Sequence, residues 1–271
     1  MTTAAATGPG PRVALVTGGG TGIGAATAHR FVDAGWRVAV TGRRTGPLQA
    51  IAERTGALML PADAADPGQA GEAVAAVLRE YGRLDATVAN AGGHGFSRLT
   101  ETTDAEWSSS IRANLDTAFV TARAAMPALT ETCGALVVVS SLSGLAAAPE
   151  TLGYTTTKHA LLGLMRSIAR DYGPRGVRAN AICPGWVRTP MADDEMDELA
   201  SSASLPDRAA AYTAATADVP LRRAAEPAEI AEVIHFLASP AASYITGAVL
   251  PVDGGARCVD LPTLAFDRAE D

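Results

Sequence analysis

The chain has 271 residues and a net charge of −7, and its 48% hydrophobic and 19% charged residues are ordinary for a compact globular protein. The charge is spread without a basic patch, which argues against a nucleic-acid partner, and no apolar run reaches the ~20 residues that span a bilayer. The odd number and wide spacing of the cysteines offer no zinc site or disulfide framework and indicate a reducing, cytoplasmic setting. They are Cys133, Cys183 and Cys258.

Residues 1–10 are small and polar, without the basic start and apolar core of a signal peptide, so a loose tail is predicted there. After this tail, short apolar runs alternate with Ala-rich helical patterns. The apolar runs predict strands at 13–17, 37–41, 57–60, 86–89, 135–140, 177–182 and 248–252. The helical patterns lie near 22–34, 46–54, 67–81, 104–130, 152–172 and 226–238.

This alternation predicts the fold class. Repeated βαβ units give a parallel sheet, and strands that are buried on both faces read as continuous apolar runs, as these do. We therefore predict one α/β domain over 11–256, a Rossmann-like doubly wound parallel sheet of about seven strands with helices on both faces. Residues 257–271 are a C-terminal extension.

Signals at helix ends support these boundaries. Thr103 and Glu106 have the spacing of a capping box, in which each side chain binds a backbone N–H at the start of a helix. Pro227 stands in the first turn of another predicted helix, where proline is favoured.

The segment 189–217 is longer and more polar than the other connections and begins just after a strand end, where open α/β sheets bind ligands. We predict that it is a substrate lid. Its acidic residues are interpreted as a solvated helix face rather than a metal site, and no metal is predicted. These residues are Asp193, Asp194, Glu195, Asp197 and Glu198.

A glycine-rich turn follows the first predicted strand and opens the first predicted helix. Gly18, Gly22 and Gly24 allow a tight turn and let a phosphate approach the backbone, where the helix N-terminus presents free N–H groups. The spacing fits the usual Gly-x-Gly-x-x-Gly fingerprint poorly, and a glycine-rich turn without a ligand remains an alternative. A P-loop is excluded because no Gly-Lys-Ser/Thr follows.

Polar groups and turns end three further strands. The run Asn90-Ala91-Gly92 ends the fourth, Ser140-Ser141 the fifth and Pro184-Gly185 the sixth. Because the carboxyl ends of parallel strands face one crevice, these groups are expected to meet above the sheet.

Tyr154 and Lys158 stand four residues apart at the start of the next predicted helix, so they share one face. An ammonium beside a phenol favours the phenolate, and we expect Lys158 to lower the pKa of Tyr154 from about 10. A tyrosine so tuned exchanges protons near neutral pH.

Together these motifs resemble the short-chain dehydrogenase/reductase family over roughly 11–256. The matching pieces are Thr17–Gly24, Asp63, Asn90–Gly92, Asn114, Ser141, Tyr154 to Lys158, Pro184, Gly185 and Thr189. The resemblance implies that Tyr154 is the general acid and base, that Lys158 lowers its pKa and holds the nicotinamide ribose, and that Ser141 binds the substrate oxygen. It also implies that Asn114 holds a water in a proton relay.

The resemblance further implies a nicotinamide cofactor. Its predicted contacts are Gly18, Thr21, Gly22, Ile23, Gly24, Arg43, Arg44, Asp63, Ala64, Asn90, Ala91, Gly92, Tyr154, Lys158, Pro184, Gly185, Val187 and Thr189. Arg43 and Arg44 stand where NAD enzymes usually carry an acidic residue, and two guanidinium groups suit a 2′-phosphate. NADP (NADPH) is therefore favoured, with NAD as the alternative because Thr21 replaces a second basic residue found in many relatives.

The predicted substrate is a small alcohol or ketone with hydrophobic groups. The residues expected to line its pocket are His94, Phe96, Leu142, Leu145, Trp186 and Met191. A 3-oxoacyl-[acyl-carrier-protein] reductase is the alternative enzyme, with Arg123, Arg166 and Arg170 as candidates for meeting an acidic carrier. A nucleotide-sensing protein without chemistry is disfavoured because the Tyr and Lys are both present.

Two further expectations concern assembly. A stripe on the helix after Lys158 indicates core packing, and the resemblance implies a subunit interface there, so a homotetramer is predicted, with a dimer as second choice. The stripe comprises Leu161, Leu164, Met165, Ile168 and Tyr172. Apolar residues of the C-terminal extension either pack across a neighbouring subunit's pocket or form an irregular tail.

Overall fold

Seven parallel strands form one sheet in the computed structural model, which describes residues 10–93 and 95–267. The strands are β1 (Val13–Thr17), β2 (Arg37–Gly42), β3 (Leu58–Pro61), β4 (Ala86–Ala89), β5 (Ala135–Val139), β6 (Arg178–Pro184) and β7 (Val249–Val252). Their order across the sheet is β3-β2-β1-β4-β5-β6-β7. The order reverses between β1 and β4, and ligands of doubly wound sheets bind at the carboxyl ends of strands at such a reversal. The predicted fold class is confirmed. The predicted tail at 1–10 lies, apart from Gly10, outside the described residues.

Helices cover both faces of the sheet. They are α1 (Gly22–Asp33), α2 (Thr45–Thr55), α3 (Pro67–Tyr81), α4 (Asp104–Ile111), α5 (Thr117–Thr132), α6 (Leu152–Tyr172), α7 (Pro190–Ser202), α8 (Arg208–Ala215), α9 (Pro227–Ala238) and α10 (Leu264–Asp267). Most predicted elements differ from these by one or two residues at an end, where helices and strands fray. The predicted capping box of α4 is present, and Pro227 is the first residue of α9.

The segment 104–130 is helical throughout, as predicted, but its middle is not α-helical. A π-helical turn at Arg112–Asp116 separates α4 from α5. Two side chains donate hydrogen bonds to backbone carbonyls in this turn. The Asn114 amide donates to the Ser110 carbonyl at 3.1 Å, and the Thr117 hydroxyl donates to the Ala113 carbonyl at 3.1 Å. Side chains that enter the backbone ladder are a known cause of such turns, which are frequent at functional sites.

The core has one layer on each face of the sheet. Val13 and Leu15 of β1 belong to the layer formed with α3, α5 and α6, whereas Ala14 and Val16 belong to the layer formed with α1, α2 and α9. Both faces of β1 are therefore apolar, which explains its continuous apolar sequence. The stripe from Leu161 to Tyr172 on α6 lies in or against the first layer, as the core-packing interpretation expected.

The segment predicted as a lid folds into α7 and α8. These two helices have a small apolar cluster of their own, separate from the two main layers. Its buried members are Ala192, Met196, Ala200, Ala211, Tyr212 and Ala224. Thr189 begins α7, and its hydroxyl accepts the Ala192 N–H at 3.2 Å. The cluster makes this segment a compact unit beside the sheet.

The described part of the C-terminal extension consists of two 3₁₀ turns and α10, and its apolar side chains Leu261 and Phe266 are exposed. Within residues 10–93 and 95–267, every helix is too short or too polar to cross a bilayer. All three cysteines are free thiols.

Candidate active site

A cavity of about 1080 Å³ lies at the carboxyl edge of the sheet. It is bordered by the glycine turn after β1, the ends of β2, β4, β5 and β6, the start of α6 and one side of α7. All four predicted catalytic residues are on its wall. The predicted cofactor contacts are also there, with the exception of Gly24. The strand order thus brings together groups that are far apart in the sequence.

The glycine turn can cradle a phosphate. Gly18 and Gly22 have φ of +64° and +53°, a left-handed conformation that only glycine adopts without strain. A Cβ on Gly24 would lie 2.2 Å from the Gly18 carbonyl oxygen, so Gly24 keeps α1 close against the turn rather than lining the cavity. The N-terminus of α1 faces the cavity as a result, and these features fit the pyrophosphate of a dinucleotide.

Asn90 joins this turn to the end of β4. Its side-chain amide donates to the carbonyls of Thr17 at 2.9 Å and Gly18 at 3.4 Å. In return, the Thr17 hydroxyl accepts the N–H groups of Asn90 and Ala91, each at 3.0 Å. Asn90 therefore fixes the shape of the turn besides lining the cavity.

Three arginines and an aspartate border one part of the cavity. Arg43 and Arg44 follow β2 and are exposed. Asp63 accepts the Ala65 N–H at 2.9 Å and the Arg112 guanidinium at 2.7 Å. Burial acts to raise the pKa of Asp63, but the Ala65 N–H, Arg112 and Arg43 together hold it below its usual value. The sequence offered no signal for Arg112, because its pairing with Asp63 spans distant elements.

Tyr154 and Ser141 both face the cavity, and the Ser141 hydroxyl lies close enough to the phenol to act on its ionisation. The Ser141 hydroxyl accepts the Ser143 N–H at 3.1 Å, which fixes its position. The expected lowering of the Tyr154 pKa is wrong for this structure: burial raises the pKa, and the nearby Ser141 hydroxyl opposes this rise only in part. Tyr154 therefore holds its proton at neutral pH, the form that can donate to a carbonyl.

Lys158, the only lysine in the chain, is 5% exposed. Its ammonium donates to the Val139 carbonyl at 3.1 Å and lies 5.4 Å from the centre of the Tyr154 ring. The Ser140 hydroxyl donates to the Lys158 carbonyl at 2.8 Å and so fixes this turn of α6. Burial lowers the pKa of Lys158 to about 8, which leaves the group mostly cationic at neutral pH.

Asn114 is buried in the π-helical turn. Its side-chain oxygen accepts the Gly93 N–H at 3.1 Å. A Cβ on Gly92 would lie 3.2 Å from this oxygen and 3.5 Å from the Lys158 ammonium, so the two polar groups flank Gly92. The π-helical turn thus sets Asn114 beside Lys158.

The α7 side of the cavity is largely apolar. Phe96, Leu142, Trp186 and Met191 are on the wall, and the Phe96 ring centre is 6.1 Å from that of Tyr154. The prediction for Leu145 is wrong, because this side chain packs against the core next to α6. His94 lies outside the described residues.

The solvated acidic face predicted on α7 is also wrong in part. Glu195 is half-buried on the cavity wall, whereas Asp193 and Asp197 pair with Arg208. The sequence did contain a signal for this position. Met191, which was predicted to line the pocket, stands four residues before Glu195, and residues with this spacing share one face of a helix.

Comparison with known proteins gives one family. The profile of the family described as enoyl-(acyl carrier protein) reductase matches residues 18–257. Protein MoaE of Klebsiella aerogenes is 49% identical over 257 residues, which cover 94% of this chain and 99% of that protein. Levodione reductase superposes with a TM-score of 0.86 at 33% identity, covering 93% of this chain and 100% of that chain. L-Sorbose reductase from Gluconobacter frateurii, complexed with NADPH and L-sorbose, has a TM-score of 0.86 at 27% identity, with 93% and 99% covered.

The chain therefore belongs to the short-chain dehydrogenase/reductase family. It is an oxidoreductase of CH–OH or ketone groups, and NADPH-bound structural neighbours support a nicotinamide cofactor.

Proposed function

We propose that the protein interconverts a secondary alcohol and a ketone, with Tyr154 as the general acid in reduction and the general base in oxidation. The observation that carries the proposal is that Tyr154 and Ser141 lie together on the cavity wall, between the glycine turn and the apolar wall. A carbonyl oxygen placed at this pair would receive one hydrogen bond from each hydroxyl.

The neighbouring residues supply position and charge. The bound nicotinamide supplies or accepts the hydride. Ser141 holds the substrate oxygen and stabilises the charge that develops on it. Lys158 holds the nicotinamide ribose and stabilises charge on Tyr154, and Asn114 holds a water that connects Lys158 to solvent.

The cofactor contacts are assigned along the cavity in the same way. The turn around Gly18, Thr21, Gly22 and Ile23 receives the pyrophosphate. Asp63 and Ala64 border the adenine, and the strand end at Asn90, Ala91 and Gly92 passes beside it towards the nicotinamide. Pro184, Gly185, Val187 and Thr189 border the nicotinamide itself.

A spectrophotometric panel tests the proposed reaction directly. Aryl and alkyl ketones are offered with NADPH and with NADH, and the matching secondary alcohols with the oxidised cofactors. Turnover of at least one ketone supports the proposal. Absence of turnover in both directions, with cofactor binding shown by calorimetry, would contradict it.

The preferred cofactor is proposed to be NADP, because Arg43 and Arg44 border the cavity where a 2′-phosphate would lie and no acidic side chain precedes them at the end of β2. Replacing both with alanine should lower the NADPH-over-NADH preference in kcat/KM about 10- to 100-fold, the value of one or two charge-assisted hydrogen bonds. Arg79→Ala, which removes an exposed arginine of α3, is the matched control. An unchanged preference in the double variant, or better rates with NADH in the wild type, would refute the arginine assignment.

Reduction of a 3-oxoacyl group on an acyl carrier protein is the second candidate, supported by relatives that are named 3-oxoacyl-[acyl-carrier-protein] reductases, such as MabA of Mycobacterium bovis at 35% identity over 245 residues. Arg123, Arg166 and Arg170 are exposed, but none is on the cavity wall. A 3-oxoacyl pantetheine thioester should therefore react no better than a simple ketone.

A homotetramer is proposed from the family resemblance, with α5 and α6 at a subunit interface. Exposed Phe119 on α5, which packs under the Arg123 guanidinium at 4.9 Å, would lie in that interface. Light scattering after size-exclusion chromatography distinguishes the tetramer from the dimer.

A further inference from the structure

Arg112 is the first residue of the π-helical turn and stands on the cavity wall together with Asp63 and Ala64. One terminal nitrogen of its guanidinium donates to the Asp63 carboxylate at 2.7 Å, and the other donates to the Ala65 carbonyl at 3.4 Å. The Arg112 side chain is 53% exposed, and a half-exposed ion pair contributes little to the stability of a fold. The contact with Asp63 is therefore better explained by a role in the cavity.

The Asp63 carboxylate is held in one orientation from two sides. Its Oδ1 accepts the Ala65 N–H at 2.9 Å, and its Oδ2 accepts the Arg112 guanidinium. The backbone of the same turn is anchored separately to the start of α3. There the Asp63 N–H donates to the Gln69 side chain at 2.9 Å, and the Asp63 carbonyl accepts the Asp66 N–H at 3.0 Å. Removal of Arg112 should therefore release the carboxylate while the backbone stays in place.

An ionised carboxylate that is held in this way can recognise a hydrogen-bond donor but not an acceptor. Although burial acts to raise its pKa, Asp63 is ionised at neutral pH, because its backbone and arginine partners hold that pKa below the usual value. Each carboxylate oxygen has two lone pairs, so both can accept a further hydrogen bond. The exocyclic amino group of adenine is such a donor, whereas hypoxanthine places a keto oxygen at the same position, which leaves the carboxylate unpaired.

We infer that Arg112 is a positioning residue that holds the Asp63 carboxylate for the exocyclic amino group of adenine and thereby selects adenine dinucleotides over hypoxanthine dinucleotides. The inference rests on the proposed function, because it concerns the base of the proposed cofactor. Arg112 acts through Asp63 on the binding of the dinucleotide and takes no part in hydride transfer. A recognition group that is ordered before its ligand arrives strengthens binding, because the cost of ordering it has already been met.

Two dinucleotides that differ in one group test the inference. They are NADPH and its hypoxanthine analogue, in which a keto oxygen replaces the amino group of adenine. Calorimetric titration of each into the enzyme without substrate gives a ratio of dissociation constants that cancels the contacts of the phosphates, the riboses and the nicotinamide. We expect the wild type to bind NADPH about tenfold more tightly, the value of one charge-assisted hydrogen bond.

Arg112→Ala should reduce this preference to about two- to threefold, because the carboxylate is no longer held in one orientation. A purely structural role of Arg112 would weaken the binding of both dinucleotides alike and leave the ratio unchanged. Arg112→Lys should retain part of the preference, since its ammonium can pair with the Asp63 carboxylate but lacks the two-pronged geometry that also reaches the Ala65 carbonyl.

Arg223→Ala is the matched control. Arg223 is a half-exposed arginine that pairs with Glu229 away from the cavity wall, so this variant loses a comparable ion pair and should keep the wild-type ratio. Asp63→Asn tests the acceptor itself. Its side-chain amide can donate to a keto oxygen as well as accept from an amino group, so this variant should bind the two dinucleotides about equally.

The binding measurements need no turnover, which separates the inference from the proposed reaction. If the dinucleotides bind with the expected ratios but no ketone reacts, the proposed reaction fails and the role of Arg112 stands. Equal affinities of the two dinucleotides in the wild type, or a wild-type ratio in Arg112→Ala, would overturn the inference while leaving the reaction in place. A protein that binds neither dinucleotide would overturn both.

Discussion

Tyr154→Phe should lower kcat for ketone reduction by about 10²- to 10⁴-fold, the range for loss of a positioned general acid. The substitution removes one hydroxyl and keeps the aromatic ring, so the packing beside Phe96 is retained. Because burial raises the pKa of Tyr154, the wild-type residue carries the proton that reduction requires at pH 7. The cofactor dissociation constant, measured by calorimetry, should change less than about threefold, since one interaction with the ribose is worth little beside the rest of the site.

Tyr172→Phe is the matched control, because it removes a hydroxyl from the other end of the same helix. Its kcat should equal that of the wild type. Ser141→Ala should lower kcat less than Tyr154→Phe, since Ser141 donates a hydrogen bond but no proton. Full activity in Tyr154→Phe would show that another group supplies the proton.

Lys158→Met should lower kcat by about 10²-fold or more and weaken cofactor binding, because it removes the charge beside Tyr154 and the proposed ribose contact. The same variant should be more stable than the wild type. Lowering the pKa of a buried lysine from 10.5 to about 8 corresponds to a cost of about 3 kcal/mol in the folded state at neutral pH. The Val139 carbonyl loses its donor in the variant, which reduces the gain to about 2 kcal/mol.

The pH dependence of stability gives a sharper signature of the same effect. The unfolded chain holds the Lys158 proton up to a pH of about 10.5 and the folded chain only up to about 8, so the cost is fully present below pH 8. The cost then declines between pH 8 and 10.5, and the wild type should gain stability relative to Lys158→Met over that range. The difference between the two proteins in urea unfolding cancels the groups that titrate alike in both, so Lys158 and Cys183, whose charges act on each other, account for what remains.

Lys158→Arg serves as the control, since it keeps a charge that does not titrate below pH 11. Its stability relative to Lys158→Met should stay constant from pH 8 to 10.5. A Lys158→Met variant that is less stable than the wild type at pH 7 would show that the ammonium is not buried at a cost.

Local signals predicted the sheet and most of the site. The run from Val13 to Val16 in β1 is apolar because both faces of the strand are covered. Glycines occupy the turn after β1 because the backbone has a positive φ at Gly18 and Gly22. Tyr154 and Lys158 meet the ends of β4 and β5 because all parallel strands end at one edge. Each of these features depends on a short stretch of sequence and on a general rule of α/β folds.

The features that sequence did not predict depend on contacts between distant segments. The π-helical turn at Asn114 needs the Ser110 and Gly93 backbone groups, and the Asp63–Arg112 pair joins residues 49 positions apart. The direction of the Tyr154 pKa depends on how deeply the cavity buries the phenol, which the spacing to Lys158 does not reveal. The sequence alone did not distinguish Glu195 from the other four acidic residues of α7. Their positions depend on the rotation of α7, which the pairing of Asp193 and Asp197 with Arg208 defines.

The separate apolar cluster of α7 and α8 has a consequence for how such a protein diversifies. Met196, Tyr212 and their neighbours hold these helices together without help from the two layers that stabilise the sheet. Residues on the cavity side of α7, such as Met191 and Glu195, can therefore be exchanged with little penalty to the folding of the rest of the chain. Mutational drift and laboratory selection should change the range of accepted substrates mainly through this segment. The glycine turn and the end of β4, which are joined by the hydrogen bonds between Thr17 and Asn90, should stay the same.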